Sequence, residues 1–344
     1  MVAGEFTIVG AGAIGAIVGA RLIGAGFDVT FIEADAAHVT AIRAGGLRLS
    51  GAQEVTVRPQ VWLPHEVTGT LRHVLLAVKA RHTEAALVPL VRHLAPDGYV
   101  VSLQNGLEEA KIAGLVGVPR TIGAFLTFGG HYRAPGEVVF GGTGTFRVGE
   151  LDGRMTGRLL ALRDALRAVQ EVEATANIAG YLWAKLALLA IYFATALVSA
   201  DVTEQYDRPA YRAMFGNLAG EVVAVAHACG IVVEPFDRFD PNVLALDAPR
   251  DPRAVQAAWD GQRTYWHRHE GRRTGMWRDL AQHRRPTEID QQIGAVIVLA
   301  NARGVPVPRL CALLSMVHEA EAGTRPLDYV NLDALVEVDH EDHH

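Results

Sequence analysis

A glycine-rich turn stands between an apolar run and a helical segment near the start of the chain. Phe6-Thr7-Ile8-Val9 has the composition of a buried strand, Gly10-Ala11-Gly12-Ala13-Ile14-Gly15 follows at once, and residues 13–25 suit a helix. In this context G-x-G-x-x-G is the fingerprint of a dinucleotide site: Gly10 permits the tight turn, Gly12 lets backbone approach the pyrophosphate, and Gly15 allows close helix–strand packing. We expect the cofactor to bind at Gly10, Gly12, Ala13, Ile14 and Gly15, where the helix N-terminus offers N–H groups to phosphate. The alternative is a purely structural βα turn.

The second predicted strand, residues 28–32, runs directly into an acidic residue. Glu33 follows the glycine turn by roughly 20 residues, where a carboxylate accepts hydrogen bonds from the ribose hydroxyls of NAD and repels the 2′-phosphate of NADP. Asp35 adds negative charge, and no arginine follows immediately. We therefore expect an NAD(P) cofactor, with NAD favoured over NADP. The alternative for Glu33 is a solvated strand end.

The pattern of apolar residues changes once along the chain. Further strand-like runs at 73–78 and 99–103 alternate with helical segments, which predicts a parallel sheet covered on both faces. Glycine pairs punctuate residues 124–150 like antiparallel hairpins. From residue 178 onward only helical patterns remain, at 178–200, 208–229, 252–267, 287–302 and 309–322.

This pattern predicts an α/β fold with a Rossmann-type dinucleotide-binding domain at 1–177. An all-helical C-terminal domain, carrying substrate and catalytic residues, would follow at 178–333. Residues 334–344 read as a disordered tail, whose histidines have no fixed geometry for a metal. We predict no metal site.

Composition excludes several classes of function. The 344 residues carry a net charge of −6, which gives no electrostatic footprint for nucleic acid, and the two cysteines cannot build a disulfide framework. The first charged residue is the acidic Glu5, unlike the basic start of an export signal. The apolar stretch 186–198 is shorter than the roughly 20 residues that span a bilayer. We expect a soluble, cytoplasmic protein with a small-molecule substrate and no nucleic-acid or membrane partner. The sequence is compatible with a homodimer.

Only three of the 32 basic residues Lys and Arg are lysines: Lys79, Lys111 and Lys185. Arginine stays protonated in proteins, whereas a partly buried lysine can give up its proton, so each retained lysine is a candidate for chemistry. Lys111 follows two glutamates at a polar helix start and reads as a surface residue. Lys79 follows the strand at 73–78, on the sheet edge where ligands bind. Lys185 lies in a helix that is apolar nearly all round and must snorkel, pair or react.

Two further polar residues are candidates for the site. Asn105 follows the strand at 99–103 and should reach the same sheet edge as Lys79, or else serve only as a turn residue before Gly106. Glu288 lies in the first turn of a predicted helix. There it is either a carboxylate held at the substrate site or an acid favoured by the helix dipole behind the N-cap Thr287.

In combination these segments resemble the ketopantoate reductase (2-dehydropantoate 2-reductase) family. The matching motifs are Gly10–Gly15, Ala77-Val-Lys-Ala80, Gln104-Asn-Gly-Leu107, Trp183-Ala-Lys-Leu186, and Met276-Trp-Arg-Asp279 with Thr287-Glu-Ile-Asp290. The resemblance implies a Rossmann domain followed by a helical domain, with the site between them, and NAD(P)H-dependent reduction of a 2-oxo acid to a 2-hydroxy acid.

The resemblance also implies roles for the candidate residues. Lys185 would be the general acid that protonates the carbonyl oxygen, because an alkoxide forming in a closed site needs a proton donor or cation beside it. Lys79 and Asn105 would lie near nicotinamide and substrate and orient both. Glu288 would accept a hydrogen bond from substrate or orient Lys185.

Several positions depart from the family pattern. Apolar Leu189 and Phe193 replace the asparagines common four and eight residues after the lysine, Gly275 replaces a serine, and one residue is inserted between Asp279 and Glu288. A site that has lost hydrogen-bonding groups should change its preferred substrate, so we expect a larger or more apolar substrate than ketopantoate.

The sequence is also compatible with two other functions. One is a dehydrogenase acting on a C–N bond, as opine dehydrogenases do on a related plan, and the other is a dinucleotide sensor without turnover. The segment 235–274 also looks long for the family; its aromatic residues, His267, His269 and the pair Arg272-Arg273 include a cation that could hold a substrate carboxylate.

Overall fold

A computed structural model describes residues 6–267 and 272–341, with side chains to residue 338. The chain forms two compact units that divide after Ile178. The sequence placed this boundary at 177/178, where strand patterns cease.

Unit 1 begins with alternating strands and helices. Its elements are β1 (Phe6–Val9), α1 (Ala13–Gly24), β2 (Val29–Ile32), α2 (Ala36–Gly45), β3 (Leu47–Gly51), β4 (Val55–Val57), β5 (Gln60–Trp62), β6 (Leu71–Leu76), α3 (Thr83–Leu87), β7 (Leu94–Ser102), α4 (Glu108–Val116), β8 (Thr121–Leu126), β9 (Gly130–Ala134), β10 (Glu137–Phe140), β11 (Phe146–Glu150), α5 (Gly157–Leu166) and β12 (Glu173–Ala174). Eight of the strands form one sheet in the order β12-β11-β8-β7-β6-β1-β2-β5.

Both faces of this sheet are covered, as the sequence predicts. Ile8 packs into one apolar cluster and its neighbour Val9 into another, as alternate side chains of a strand buried on two sides must. The strands β5, β2, β1, β6, β7 and β8 pair in parallel. The sheet is nevertheless mixed, because β8 and β11 pair antiparallel.

A second, four-stranded sheet has the order β4-β3-β10-β9. The glycine-punctuated segment at 124–150 therefore splits: its outer strands β8 and β11 join the large sheet, and its inner strands β9 and β10 form the antiparallel pair of the small one. The glycine pattern predicts hairpins there, but no sequence pattern predicts the strands over residues 47–62. Those strands are only three to five residues long, too short for an alternation pattern to stand out.

Unit 2 is helical, with elements α6 (Ile178–Ala196), α7 (Val202–Tyr206), α8 (Pro209–Ala228), α9 (Pro252–His267), α10 (Gly275–Trp277), α11 (Ala295–Arg303), α12 (Pro308–Glu321) and α13 (Val330–Glu341). Two π-helical segments, Arg278–His283 and Asp290–Gly294, lie on either side of Glu288. A π turn closes over five residues instead of four, so it accommodates extra chain. This is the region in which the sequence shows one inserted residue.

The predicted tail at 334–344 is wrong over most of its length. Residues to Glu341 continue α13, whose Leu332 and Leu335 are fully buried. Charged residues dominate the composition of this segment, so composition alone does not indicate the apolar stripe of the helix. Residues 342–344, with their histidines, lie outside the described residues.

Helix α6 is the one described helix that is long and apolar enough to span a membrane. However, 78% of its most apolar 18-residue window is buried inside the structure, as in a core helix. This matches the buried helix that the sequence predicts there.

Candidate active site

Each glycine of the first turn has a distinct role in unit 1. Gly10 has φ +96° and donates its N–H to the Ile32 carbonyl at 2.8 Å. A Cβ on Gly15 would lie 1.9 Å from the Gly10 carbonyl oxygen, so only glycine allows α1 to start this close to β1. A Cβ on Gly12 would meet nothing within 4 Å. Gly12 is therefore the position that opens outward, as a phosphate-binding turn requires.

The N-terminus of α1 keeps accessible surface at Gly12, Ala13 and Ile14, while Gly10 and Gly15 are buried. No side chain caps this helix end. The first N–H groups of a helix have no intrahelical acceptor and carry partial positive charge, so this end can hold an anion. The residues predicted to bind a pyrophosphate thus have the geometry that such binding needs.

Glu33 is more than a solvated strand end. One of its carboxylate oxygens accepts the Ala11 N–H at 2.7 Å, and the other accepts the Asp35 N–H at 2.9 Å. Each oxygen retains a further acceptor site. Asp35 caps α2 by accepting the Ala37 N–H at 2.9 Å. Both carboxylates lie close enough to Tyr132 that, after burial itself, they raise the pKa of its phenol.

His38, which is not among the residues predicted from the sequence, joins the glycine turn to the small sheet. Its Nδ1 accepts the Gly136 N–H at 2.8 Å, which leaves Nε2 to donate to the Ala11 carbonyl at 2.9 Å. The side chain is 1% exposed and lies edge-on to the Tyr132 ring at 5.1 Å. No motif signals this residue, because its partners are backbone groups distant in sequence.

Lys79 and Asn105 reach the same sheet edge as the glycine turn. Val9 pairs with Leu76 and Leu76 with Ser102, so β1, β6 and β7 end at one level. The chain beyond each strand then carries Gly10, Lys79 and Asn105, and both side chains retain accessible surface. The predicted convergence within unit 1 is therefore present in the structure.

Gln104 ties the two loops of this edge together. Its Nε2 donates to the Val78 carbonyl and to the Thr83 hydroxyl, both at 2.9 Å. Thr83 donates to the buried Glu108 carboxylate at 2.6 Å, and Lys111 lies 3.0 Å from that carboxylate. Lys111 thus has the structural surface role predicted for it, and Gln104 fixes the loops that carry Lys79 and Asn105.

In unit 2, Lys185 lies on an accessible stripe of the otherwise largely buried helix α6. Tyr181, Lys185 and Tyr192 retain accessible surface at spacings of four and seven residues, which places them on one helix face. Protein surrounds the ammonium on most sides, and this burial lowers the pKa of Lys185 to about 8. The nearby carboxylates of Glu288 and then Asp237 oppose the shift. The result is an ammonium that can release and regain a proton near neutral pH.

Glu288 stands at the start of the helical segment that the sequence predicts. Thr287 accepts the Ile289 N–H at 3.3 Å, as an N-cap does, and also donates to Glu321 at 2.6 Å. The capping interpretation thus holds for Thr287. Of the two carboxylates that raise the pKa of Lys185, Glu288 has the larger effect and Asp237 the smaller.

Aromatic residues of α9 lie against the same stripe of α6. The ring of Trp266 meets that of Tyr192 edge-on at 5.4 Å, and the Tyr192 hydroxyl approaches Gln262 Oε1 at 3.4 Å. Burial raises the pKa of Tyr192 well above its usual value, so its phenol is neutral at physiological pH. Phe193, in contrast, is fully buried and Leu189 nearly so.

Arg273, considered as a binder of substrate carboxylate, has structural partners: it donates to the Ser199 carbonyl at 3.2 Å and stacks over Trp277 at 4.2 Å. His269 lies outside the described residues. Among residues 6–267 and 272–341, no group of three or more His, Cys, Asp or Glu side chains could hold a metal ion.

Comparison with known proteins places both units. The family model described as "Ketopantoate reductase PanE/ApbA" matches residues 6–153, and that of its C-terminal part matches residues 177–321. A 2-dehydropantoate 2-reductase of Archaeoglobus fulgidus is 29% identical over 92% of this chain and 97% of its own length.

Solved structures agree with this assignment. A PanE/ApbA family ketopantoate reductase of Ralstonia eutropha JMP134 superimposes with a TM-score of 0.78 at 27% identity, over 93% of this chain and 99% of the other. D-Mandelate dehydrogenase with NADH and anilino(oxo)acetate shares the fold, with a TM-score of 0.78 at 22% identity over 93% of this chain and 99% of the other. Because the matches run through the glycine turn and through the helix of Lys185 alike, the chain belongs to the ketopantoate reductase family of NAD(P)-dependent oxidoreductases.

Proposed function

We propose that the protein reduces a 2-oxo acid to the 2-hydroxy acid, with Lys185 as general acid and NADH as the preferred cofactor. The observation that carries this proposal is the poorly solvated ammonium of Lys185, whose pKa burial lowers to about 8, on a residue that keeps some accessible surface. A proton donor works best when its pKa lies near the operating pH, and arginine could not fill this role.

The residues of unit 1 fit a nicotinamide dinucleotide. The open position at Gly12 and the uncapped start of α1 would take the pyrophosphate, and Glu33 would accept the ribose hydroxyls. When bound, the nicotinamide supplies or accepts a hydride. The negative charges of Glu33 and Asp35 support NAD over NADP, because a 2′-phosphate there would meet like charge.

The chain's own residues supply the rest of the chemistry. Lys185 would donate its proton to the carbonyl oxygen as negative charge grows there, and Glu288 would orient that ammonium. Asn105 and Lys79, held at their sheet edge by the Gln104 hydrogen bonds, would orient nicotinamide and substrate. In the direction of oxidation the neutral amine of Lys185 would accept the proton.

The surroundings of Lys185 support a substrate bulkier and more apolar than ketopantoate. Phe193 and Leu189 are buried in the core and would not contact a substrate, whereas Tyr192 on the same helix is only half-buried and packs against Trp266. Aromatic surface close to the proton donor in sequence and on the same helix face favours a substrate side chain that can replace water against it.

The test is a panel of 2-oxo acids, aliphatic, branched and aromatic and including ketopantoate, assayed with NADH and with NADPH. Lys185→Arg keeps the charge but withholds the proton and should lower kcat by roughly 10²-fold or more. Lys111→Arg, which can still pair with Glu108, is the matched control and should leave kcat unchanged.

Each element of the proposal can fail separately. Ketopantoate as the best substrate by far would refute the substrate assignment, and a strong preference for NADPH would refute the cofactor assignment. Turnover only with an added amine donor would indicate a C–N dehydrogenase instead. Cofactor binding without any turnover would indicate a sensor. Whether the protein is a homodimer stays a prediction, testable by light scattering.

A further inference from the structure

We propose that Asp237 is a positioning residue for Lys185: a strained two-residue turn holds its carboxylate toward the ammonium and keeps the proton donor charged and aimed. This inference rests on the proposed role of Lys185. None of the family motifs includes Asp237, which lies in the segment 235–274.

The turn has an unusual backbone. Phe236 and Phe239 exchange both backbone hydrogen bonds, at 2.9 and 2.6 Å, so Asp237 and Arg238 form a two-residue hairpin loop. Their φ angles are +43° and +64°, in the left-handed region that costs free energy for residues with a Cβ. The Phe236 and Phe239 side chains are buried and meet edge-on at 5.7 Å. They anchor the strained pair from both sides.

Backbone contacts place this turn between α6 and α9. Ahead of the turn, Glu234 donates its N–H to the Gly180 carbonyl at 3.3 Å, at the start of α6. Beyond it, the Arg238 carbonyl oxygen lies 3.0 Å from where a Cβ on Gly261 of α9 would be, so glycine allows the close approach. The turn therefore lies near the N-terminal part of α6, in which Lys185 follows Gly180 by five residues, and against α9, in which Tyr265 follows Gly261 by four.

The charges in this region agree with the placement. Asp237 acts on Lys185 from the turn, and on Tyr192 of α6 and Tyr265 of α9, whose phenol pKa values it helps to raise. Glu288 faces Lys185 from the start of its own helical segment. The two phenols are neutral near pH 7, so the negative charges that the structure records beside Lys185 are Glu288 and Asp237.

This arrangement suits a donor that must be recharged. A lysine shielded from water loses its proton easily, and the product alcohol takes one away in every reduction. A second fixed carboxylate favours the charged form and restricts the direction of the ammonium. A strained backbone persists at a functional site only where the surrounding contacts hold it in place, as Phe236 and Phe239 do here.

The experiment compares Asp237→Asn with Asp240→Asn. Asparagine tolerates a positive φ, so the first variant should keep the turn. Asp240 lies three residues further along and accepts the Asn242 N–H at 3.0 Å, which asparagine can also do. The control thus removes the same charge from the same segment. Asp237→Gly removes the carboxylate and the strain together, and covers the case in which Asp237→Asn fails to fold.

The primary readout is the titration of 13Cε-labelled lysine by NMR, which is simple in a chain with three lysines. Substitution of each other lysine by arginine assigns the signals. We expect the Lys185 midpoint to fall by roughly one pH unit in Asp237→Asn and in Asp237→Gly, because a nearby negative charge has been removed. In Asp240→Asn it should not move. In the pH profile of kcat for reduction, the midpoint of the decline at high pH should shift to lower pH by the same amount. KM should change much less.

An unshifted Lys185 midpoint in both Asp237 variants would overturn the inference, and so would an equal shift in Asp240→Asn. The NMR titration does not depend on turnover. A shifted midpoint in a protein that reduces no 2-oxo acid would therefore refute the proposed function while supporting the Asp237–Lys185 pairing.

Discussion

We predict that the carboxyl group of Glu109 makes the stability of unit 1 depend on pH. Glu109 lies at the start of α4, four residues after Asn105, and its side chain is 6% exposed. The Ser102 hydroxyl is its polar neighbour, but within the described residues neither carboxyl oxygen makes a hydrogen bond of good geometry. Burial, which disfavours the charged form, raises the pKa of Glu109 from its ordinary 4.5 to about 7.

The size of the effect follows from this difference. Between pH 4.5 and 7 the folded protein binds a proton that the unfolded chain has released, so the free energy of unfolding falls as pH rises. At about 1.4 kcal/mol for each pH unit, the loss reaches about 3 kcal/mol above pH 7. Glu109→Gln cannot ionise and should not suffer this loss. The variant should match the wild type near pH 4.5 and exceed it by about 3 kcal/mol at pH 8.

Urea unfolding followed by circular dichroism at several values from pH 4.5 to 8.5 measures this difference. Glu84→Gln, which changes an exposed glutamate of α3, is the control and should show no such pH dependence. Hydrogen exchange of the β7 and α4 amides would assign the effect to unit 1. A difference between Glu109→Gln and wild type that stays constant with pH would refute the reasoning.

Three further predictions concern the candidate site. Gly15→Ala should destabilise unit 1 by roughly 3 kcal/mol and abolish NADH binding measured by calorimetry, because the new Cβ would collide with the Gly10 carbonyl. The control is Gly24→Ala in the same helix, which has open space around the new Cβ and should be neutral or stabilising. His38→Phe should lower the melting temperature and weaken NADH binding, since a buried carbonyl and a buried N–H lose their partner at about 1–3 kcal/mol each; unchanged binding would contradict its role at the turn. Lys185→Met should inactivate the enzyme yet raise its free energy of unfolding at pH 7 by at most about 3 kcal/mol, because burial of the charged ammonium destabilises the folded wild type below pH 8 and this cost disappears only toward pH 10.5. A lower melting temperature of the variant at pH 7 would contradict this.

The parts of the fold that repeat a strong local pattern were predictable. The strand β1, the glycine turn and α1 follow from the spacing of apolar residues and glycines, and the change to helices places the boundary near residue 178. Lys79 and Asn105 could be placed on one edge because parallel strands end together. What the sequence did not reveal depends on short strands and on contacts between distant segments.

Asp237 and His38 illustrate that limit. An Asp-Arg pair between two phenylalanines gives little sign of a left-handed hairpin loop, since the second position of such a loop usually holds glycine. His38 bonds only to backbone groups, 27 and 98 residues away in sequence. The tail was mispredicted for a different reason. Charged residues are more numerous in it than the few leucines through which α13 packs against the rest of the protein.

The central claim, that Lys185 is the proton donor, is tested most directly by the pH dependence of kcat/KM for reduction of the best 2-oxo acid. This ratio reports the ionisation of the essential acid in the free enzyme. The structure predicts that kcat/KM falls above a midpoint of about 8 and that Lys185→Arg lacks this limb. A profile that stays level to pH 10, or the same limb in Lys185→Arg, would contradict it.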